Sequence, residues 1–141
     1  MKKLLPVLLA ASLMIACSKK DNNPASPTPP SGLNPETVTA ADIMGTWKAT
    51  LDTAYVNQNG QLTATPGNVT AQNITYSYGQ NGKGSTSFDG DMTYSVAGGI
   101  IYTTGSQGPY NFHILSISSK QMIVSQITAV DHFADILLVR Q

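Results

Sequence analysis

The sequence predicts an all-β domain: an antiparallel meander of about eight strands that closes into a small barrel, preceded by one short helix. From residue 42 onward, Ile, Val, Tyr, Phe and Thr alternate with Ser, Thr and Asn, which is typical of strands with two different faces. Dipeptides that favour hairpin turns interrupt this pattern roughly every ten residues. They are Asn59-Gly60, Asn81-Gly82, Asp89-Gly90 and Gly98-Gly99.

The composition excludes several classes of protein. The 141 residues include eight Lys and Arg, eight Asp and Glu, and one Cys, and the formal net charge is zero. Without a basic excess the chain is not expected to bind nucleic acid, because such binding depends on the neutralisation of phosphates. A single Cys excludes an internal disulfide framework and a Cys-based zinc finger. We expect no cofactor.

Residues 1–16 have the pattern of a secretory signal peptide. Lys2 and Lys3 precede the apolar run from Leu4 to Ala16, which is too short to span a bilayer as a helix. The run ends at Cys17, and residues 13–17 resemble the bacterial lipobox, in which the Cys is cleaved and acylated. The resemblance implies a lipid anchor on Cys17 and an outer-membrane location, periplasmic or surface-exposed. The alternative is a plain signal peptide with an incidental Cys.

Residues 17–41 read as a tether between the acylated Cys and the folded domain. Five of the eight prolines lie here, with almost no large apolar side chains. Such a segment cannot bury enough surface to order itself, and its prolines favour extended conformations. We therefore place the domain at residues 42–141.

The elements of the domain follow in order. A short helix is predicted after Thr39, with Asp42 completing a capping box and Gly45 ending the helix. Short connections force successive strands to pair antiparallel, which leaves a closed barrel or a two-sheet sandwich. We favour the barrel, because closure removes free strand edges. The predicted strands are 47–55, 61–65, 71–79, 83–88, 92–97, 100–104, 110–117, 121–128 and 132–140.

The parity of the apolar residues predicts the turns. Apart from Ile101, the large apolar residues between 74 and 102 are even-numbered, and one apolar face persists through successive hairpins only if each loop has an odd number of residues. We therefore expect three-residue loops at 80–82, 89–91 and 97–99. Parity is ambiguous in the last third of the chain, where either both strand faces are covered or a bulge shifts the register.

The segment Gly45-Thr46-Trp47 matches the Gly-x-Trp motif of lipocalins, and the domain resembles the compact lipocalin-like domains of Gram-negative lipoproteins. The resemblance covers roughly residues 42–141. It implies an eight-stranded up-and-down barrel in which Trp47 closes one end. A late Arg stacks on this Trp in the family, and Arg140 is the only arginine in the chain. The second lipocalin motif, Thr-Asp-Tyr, is absent.

No catalytic or metal site is predicted. Strand alternation places His132 and Asp135 on opposite faces, and His113 should face away from Phe112 and the core. Asp89-Gly90-Asp91 reads as a turn because the further ligands of a calcium loop are missing. Asp52 lies within the first strand without an obvious partner, so nothing assembles a general acid and base.

The even-parity face supplies the candidate ligand-lining residues. They fill the core, or they line a cavity whose aromatic walls have polar tips. We therefore expect a non-enzymatic barrel that binds a small apolar or amphipathic ligand. The alternative is a cavity-less module that docks an envelope protein or serves as an accessory or inhibitor subunit of a cell-surface complex. The candidates are Tyr76, Tyr78, Phe88, Met92, Tyr94 and Tyr102.

Overall fold

The computed structural model of the protein describes residues 32–129 and 132–141. The predicted signal peptide, Cys17 and the first part of the predicted tether lie outside these residues. The described helical elements are a 3₁₀ turn at Pro35–Thr37, the helix α1 at Ala40–Ile43, and 3₁₀ turns at Thr70–Gln72 and Gln80–Gly82. The described strands are β1 Gly45–Gln58, β2 Gln61–Asn68, β3 Thr75–Tyr78, β4 Lys83–Thr86, β5 Gly90–Ala97, β6 Ile100–Gly105, β7 Gly108–Ile117, β8 Gln121–Ala129 and β9 His132–Arg140.

Eight of the nine described strands form a closed antiparallel barrel, as the sequence predicts. β1 pairs with β3, and each strand from β3 to β8 pairs with the strand that follows it in the chain. β9 then pairs with β1 and closes the barrel, in a register that runs from Trp47 opposite Arg140 to Val56 opposite His132. β2 is the additional strand and pairs with the second half of β1. The closure between β1 and β9 excludes the two-sheet sandwich.

The segment before β1 covers one end of the barrel, which we call the base. Leu33 makes an isolated bridge to Ile117 of β7, with its N–H donating to the Ile117 carbonyl at 2.9 Å. Val38 and Ile43 are buried, at 4% and 0% exposure. Residues 33–41, which the sequence assigns to the tether, therefore lie against the domain.

The predicted helix cap is present in α1. The Thr39 N–H and hydroxyl both donate to Asp42 Oδ2, at 2.8 and 2.7 Å. These bonds hold the pKa of the Asp42 carboxyl below its usual value. Gly45, at φ 126°, follows the helix and begins β1. The cap thus satisfies the Thr39 N–H at the start of the helix.

The barrel wall is low beside β3. The predicted strand 71–79 is reduced to Thr75–Tyr78, because the 3₁₀ turn Thr70–Gln72 ends at Asn73 in the left-handed region, at φ 51°. β3 therefore pairs only with residues 45–48 of β1. The second half of β1 pairs with β2 on the same side, so β3 and β4 form a short section of wall.

Two of the three predicted loops keep an odd length. The loop 80–82 is confirmed, since Gly79 and Lys83 flank it and are joined by a backbone hydrogen bond. The loop predicted at 89–91 lies instead at 87–89, because Gly90, at φ 75°, already pairs with Thr86. The displacement moves Phe88 from its predicted strand into the turn.

The third predicted loop, 97–99, is wrong. Ala97 pairs with Ile100, so the turn consists of Gly98 and Gly99 alone. Their φ angles of 55° and 74° fit a two-residue type I′ turn, which needs positive φ at both positions. An even loop length exchanges the two faces of β6. Tyr102 is consequently on the outer face, at 42% exposure, and is not in the barrel interior.

Bulges settle the ambiguous parity. The register shifts between Ile114 and Ser116, so Ile114 and Ile117 both face the core while Leu115 is 48% exposed. A second shift lies in β1 between Ala49 and Leu51. Odd-numbered residues such as Ala49 face the interior before this shift, and even-numbered residues such as Asp52 face it afterwards.

Candidate functional site

The base of the barrel is closed by Trp47 and Arg140, which the structure brings together. The Arg140 guanidinium carbon lies 4.3 Å from the centroid of the Trp47 ring. Its Nη1 and Nη2 donate to the carbonyls of Met44 and Asp42, at 2.6 and 2.9 Å. The Trp47 indole N–H donates to the Ile43 carbonyl at 2.7 Å, and the side chain is 0% exposed. The contact predicted from the Gly-x-Trp motif is thus present.

Above the base, the interior is filled by side chains. Tyr78 and Tyr94 are 3% and 7% exposed, and their rings meet edge to face at a centroid distance of 5.0 Å. The Tyr94 hydroxyl donates to the Gly79 carbonyl at 2.6 Å. Burial raises the pKa of both phenols. Together with buried Met92, these candidate lining residues form a packed core.

The opposite end of the barrel carries a second aromatic group. Phe88, in the turn between β4 and β5, is 46% exposed and meets the Tyr76 ring at a centroid distance of 5.8 Å. Its ring lies 6.4 Å from that of Tyr110 on β7. Both contacts are edge-to-face, the arrangement that aromatic quadrupoles favour. We call Tyr76, Phe88 and Tyr110 the aromatic rim, and this end of the barrel the open end.

The aromatic rim continues into the core. Tyr76 is 5% exposed, and its ring also meets Phe112 at a centroid distance of 5.7 Å. Of the six candidate lining residues, Tyr76 and Phe88 therefore lie at the open end, whereas Tyr102 is on the outer surface. Tyr110 belongs to the rim although the sequence did not single it out. Its even number places it on the same strand face as Phe112, which is the signal that could have found it.

Asp52 brings a carboxylate to the open end. The bulge after Ala49 places Asp52 opposite Ile136, whose side chain belongs to the interior core. Asp52 Oδ1 is shielded from solvent and has no hydrogen-bond partner. Partial burial raises the pKa of this carboxyl above its usual value. The Asp52 carboxylate is thus partly buried, and one of its two oxygens accepts no hydrogen bond.

The negative charge of Asp52 acts on the Tyr76 phenol. Burial first, then the negative charge of Asp52 and the nearby Tyr110 phenol, raise the pKa of Tyr76 to about 12. The Tyr76 phenol is therefore protonated at neutral pH. Two residues further along β1, Ala54 pairs with Ala134 of β9, so both strands carry small side chains at this point.

A hydrogen-bonded turn holds Phe88 at the rim. The neighbouring Asp89 carboxylate accepts from the Ser106 hydroxyl and, at 3.0 Å, from the Gln107 N–H in the next turn at this end. The Asp89 N–H donates to the Thr86 hydroxyl at 2.9 Å. The sequence assigned Asp89-Gly90-Asp91 to a turn, and Asp89 fastens that turn to the β6–β7 connection.

Shallow grooves lie on the outside of the barrel. One, of about 510 Å³, runs over β4 to β6 between Lys83, Asp91 and Ser106. A second, of about 370 Å³, lies at the base beside Arg140, Asp42 and Ser118. Charged, hydroxyl and glycine residues border the first groove together with Met92, and Leu33 borders the second, so both linings are mixed.

The structure describes only some of the residues considered for a metal site. His113 is exposed on the outer face of β7, as predicted, whereas Asp131 and the His132 side chain lie outside the described part. Within residues 32–129 and 132–141, no three His, Cys, Asp or Glu side chains come together as a metal site. None of the described helices is long and apolar enough to cross a membrane.

Comparisons with known proteins give no relative for this chain. No protein-family model matches it, and neither a curated protein nor a solved structure is significantly similar to it.

Proposed function

We propose that this protein is a lipid-anchored envelope lipoprotein whose lipocalin-like barrel binds a small amphipathic molecule at its open end, without converting it chemically. The observation that carries the proposal is the aromatic rim beside Asp52. A partly exposed Phe88 packed on two tyrosines offers apolar surface, and the half-buried Asp52 side chain places a negative charge near Tyr76. Small-molecule sites characteristically combine mostly apolar walls with a few placed polar groups.

The filled lower half of the barrel limits the size of the ligand. Trp47, Tyr78 and Tyr94 fill the interior toward the base, so the proposed site lies at the opposite end of the barrel. An eight-stranded barrel is at most wide enough for one small ligand. A compact molecule suits this space better than a long acyl chain.

Binding without catalysis follows from the groups at the rim. Acid–base catalysis needs a positioned pair of titratable groups with suitable pKa values. Beside Asp52 stands Tyr76, which remains protonated at neutral pH because its pKa is raised to about 12. His113 points away from the interior. These groups can orient a ligand, but they do not form a pair of a general acid and a general base.

The anchor is proposed on the lipobox-like segment that ends at Cys17. Several acyl chains on one residue would hold the protein stably at a membrane, whereas one chain gives only marginal binding. The proline-rich residues that follow would separate the barrel from the bilayer. The open end could then meet ligands in the aqueous phase of the envelope.

The second candidate function is a module that docks another protein. Exposed apolar side chains are the observation that favours it. Leu62 on β2 and Leu115 on β7 are 52% and 48% exposed. In the sheet order, β1, β9 and β8 lie between those two strands. An interaction surface needs a contiguous apolar patch, so these separated residues favour docking less than the rim favours ligand binding.

The proposal is tested with the uncharged fluorescent probe N-phenyl-1-naphthylamine, titrated into the full chain carrying Cys17→Ser so that no acyl chain competes. We expect saturable binding that Phe88→Ala weakens at least about fivefold. Tyr102→Ala is the matched control, because this aromatic side chain lies on the outer face. Binding that is absent, or equally reduced by both substitutions, would contradict the proposal and favour the docking module.

A further inference from the structure

We infer that the free edge of β2 pairs with the same edge of a second copy of this chain, so that two barrels join through an antiparallel pair of β2 strands. The surface is the backbone of residues 61–65. This inference is independent of the proposed ligand site. Two features of the edge carry it: its unpaired backbone groups, and a spacing of these groups that is complementary to itself.

β2 stands outside the closed barrel and has one unpaired edge. It pairs with residues 51–58 of β1 along the other edge, and none of the described strands pairs with the free one. The residues from 61 to 65 are exposed, apart from half-buried Ala64. A strand edge of this kind offers N–H and C=O groups to another strand, as in peptide recognition by strand addition. The barrel sheet can therefore be extended at β2.

The pairing with β1 decides which residues of β2 have free backbone groups. The Val69 N–H donates to the Thr50 carbonyl at 3.2 Å, and in an antiparallel pair every second residue faces the partner strand. The odd-numbered residues of β2 therefore direct their N–H and C=O groups to β1, whereas those of Leu62 and Ala64 point to the free edge. Pro66 also lies on that side but has no N–H, so the edge that both donates and accepts ends before it.

The free groups are spaced so that the edge fits a second copy of itself. When two antiparallel copies are centred on Thr63, Leu62 of each copy lies opposite Ala64 of the other. Each of these two pairs exchanges two N–H···O bonds, so every free N–H of Leu62 and Ala64 finds a carbonyl. The pairing ends at the turn residue Gly60 and at Pro66, which lacks a donor. A two-fold contact of this kind closes with two copies.

The side chains along the edge permit this close approach. None of the residues from 61 to 65 is charged, whereas exposed edges are commonly protected by charged side chains, Lys above all. In the centred register, the 52% exposed Leu62 packs beside Ala64 of the second copy on one face of the sheet, and Thr63 meets its counterpart on the other. A different protein would have to supply this complementary pattern, whereas a second copy has it by symmetry.

The test is disulfide cross-linking of the full chain carrying Cys17→Ser, into which one new cysteine is introduced. Thr63→Cys places the two thiols opposite each other, in a non-hydrogen-bonded pair whose Cα atoms lie about 4.5 Å apart, within the range that a disulfide spans. Thr65→Cys is the matched control, because Thr65 is also exposed and lies on the same face of β2. In the centred register its counterpart lies four residues along the strand, roughly 13 Å away.

After mild oxidation, we expect Thr63→Cys to give at least about five times more covalent dimer than Thr65→Cys. Ala64→Pro, added to Thr63→Cys, removes a free N–H from each copy without removing a bond to β1, and should reduce the dimer at least about threefold. Denaturant unfolding followed by Trp47 fluorescence checks that Ala64→Pro folds. Absence of a dimer, equal cross-linking at both positions, or a dimer that a folded Ala64→Pro variant leaves unchanged would overturn the inference.

Discussion

The Arg140 guanidinium lies over the Trp47 indole, 4.3 Å from its centroid, where the last strand pairs with the first. The same guanidinium donates to two backbone carbonyls of the segment that enters β1. The Arg140 side chain on the last strand thus contacts the single Trp and the segment that contains α1, and it links all three at the base of the barrel.

Arg140→Lys should lower the free energy of unfolding by about 1–3 kcal/mol, because Lys cannot stack a planar group on the indole or reach both carbonyls. Denaturant unfolding followed by Trp47 fluorescence measures this change. Lys120→Ala, in an exposed turn at the same end, is the control and should change the stability by less than about 0.5 kcal/mol. Equal stability of Arg140→Lys and the parent chain would show that the contact does not stabilise the closed base.

Asp52→Asn should stabilise the folded barrel at neutral pH. Burial raises the folded-state pKa of this carboxyl, so the folded state favours its protonated form and the ionised form is a cost. The gain should be at most about 1 kcal/mol, because solvent still screens this partly buried group.

The pH dependence of that gain has a definite sign. The difference in unfolding free energy between Asp52→Asn and the parent chain should be present above the raised folded-state pKa. It should disappear as the pH falls below 3.8, where Asp52 is protonated in both states. Urea titrations at neutral and acidic pH measure this difference. A gap that widened on acidification would mean that an unrecognised partner stabilises the carboxylate.

Gly99→Ala should destabilise the turn between β5 and β6 by about 1–2 kcal/mol. Gly99 has φ 74°, and an added Cβ would lie 3.3 Å from the Pro35 carbonyl oxygen. Gly98→Asn is the control, since Asn tolerates positive φ at the first position of a type I′ turn. Thermal unfolding of both variants distinguishes the positions. A larger loss for Gly98→Asn would contradict the two-residue register.

Cys17→Ser tests the anchor. The parent chain should partition into the detergent phase in a Triton X-114 separation and incorporate labelled palmitate, because acyl chains on Cys17 supply the membrane affinity. The variant should do neither. If it is retained equally in the membrane and processed at the same position, the anchor on Cys17 is excluded.

Much of the fold could be predicted because strand alternation and turn dipeptides are local signals. The antiparallel meander from β3 to β9 and the α1 cap followed from such patterns, whereas the meeting of Trp47 with Arg140 was implied by the resemblance to lipocalins. The place of β2 outside the barrel was not predicted. The turn at Gly98 and Gly99 was wrong because both two-residue and three-residue loops suit a glycine pair, and only the pairing of the flanking strands distinguishes them.

The candidate site was less predictable because it depends on register. The bulge after Ala49 turns Asp52 toward the interior, and a bulge of this kind leaves no clear mark in the sequence. Phe88 was assigned to a strand, but the turn begins one residue before it. A shift of one or two residues moves a side chain between core, rim and outer face.

The ligand site is tested most directly by a ¹H–¹⁵N correlation titration of the isotopically labelled full chain carrying Cys17→Ser with N-phenyl-1-naphthylamine. We expect saturable shift changes around Asp52, Tyr76, Phe88 and Tyr110, whereas Trp47 at the base and Tyr102 on the outer face should be unaffected. Shifts centred on the outer groove beside Lys83 and Ser106, or no saturable shifts at all, would contradict a ligand site at the open end of the barrel.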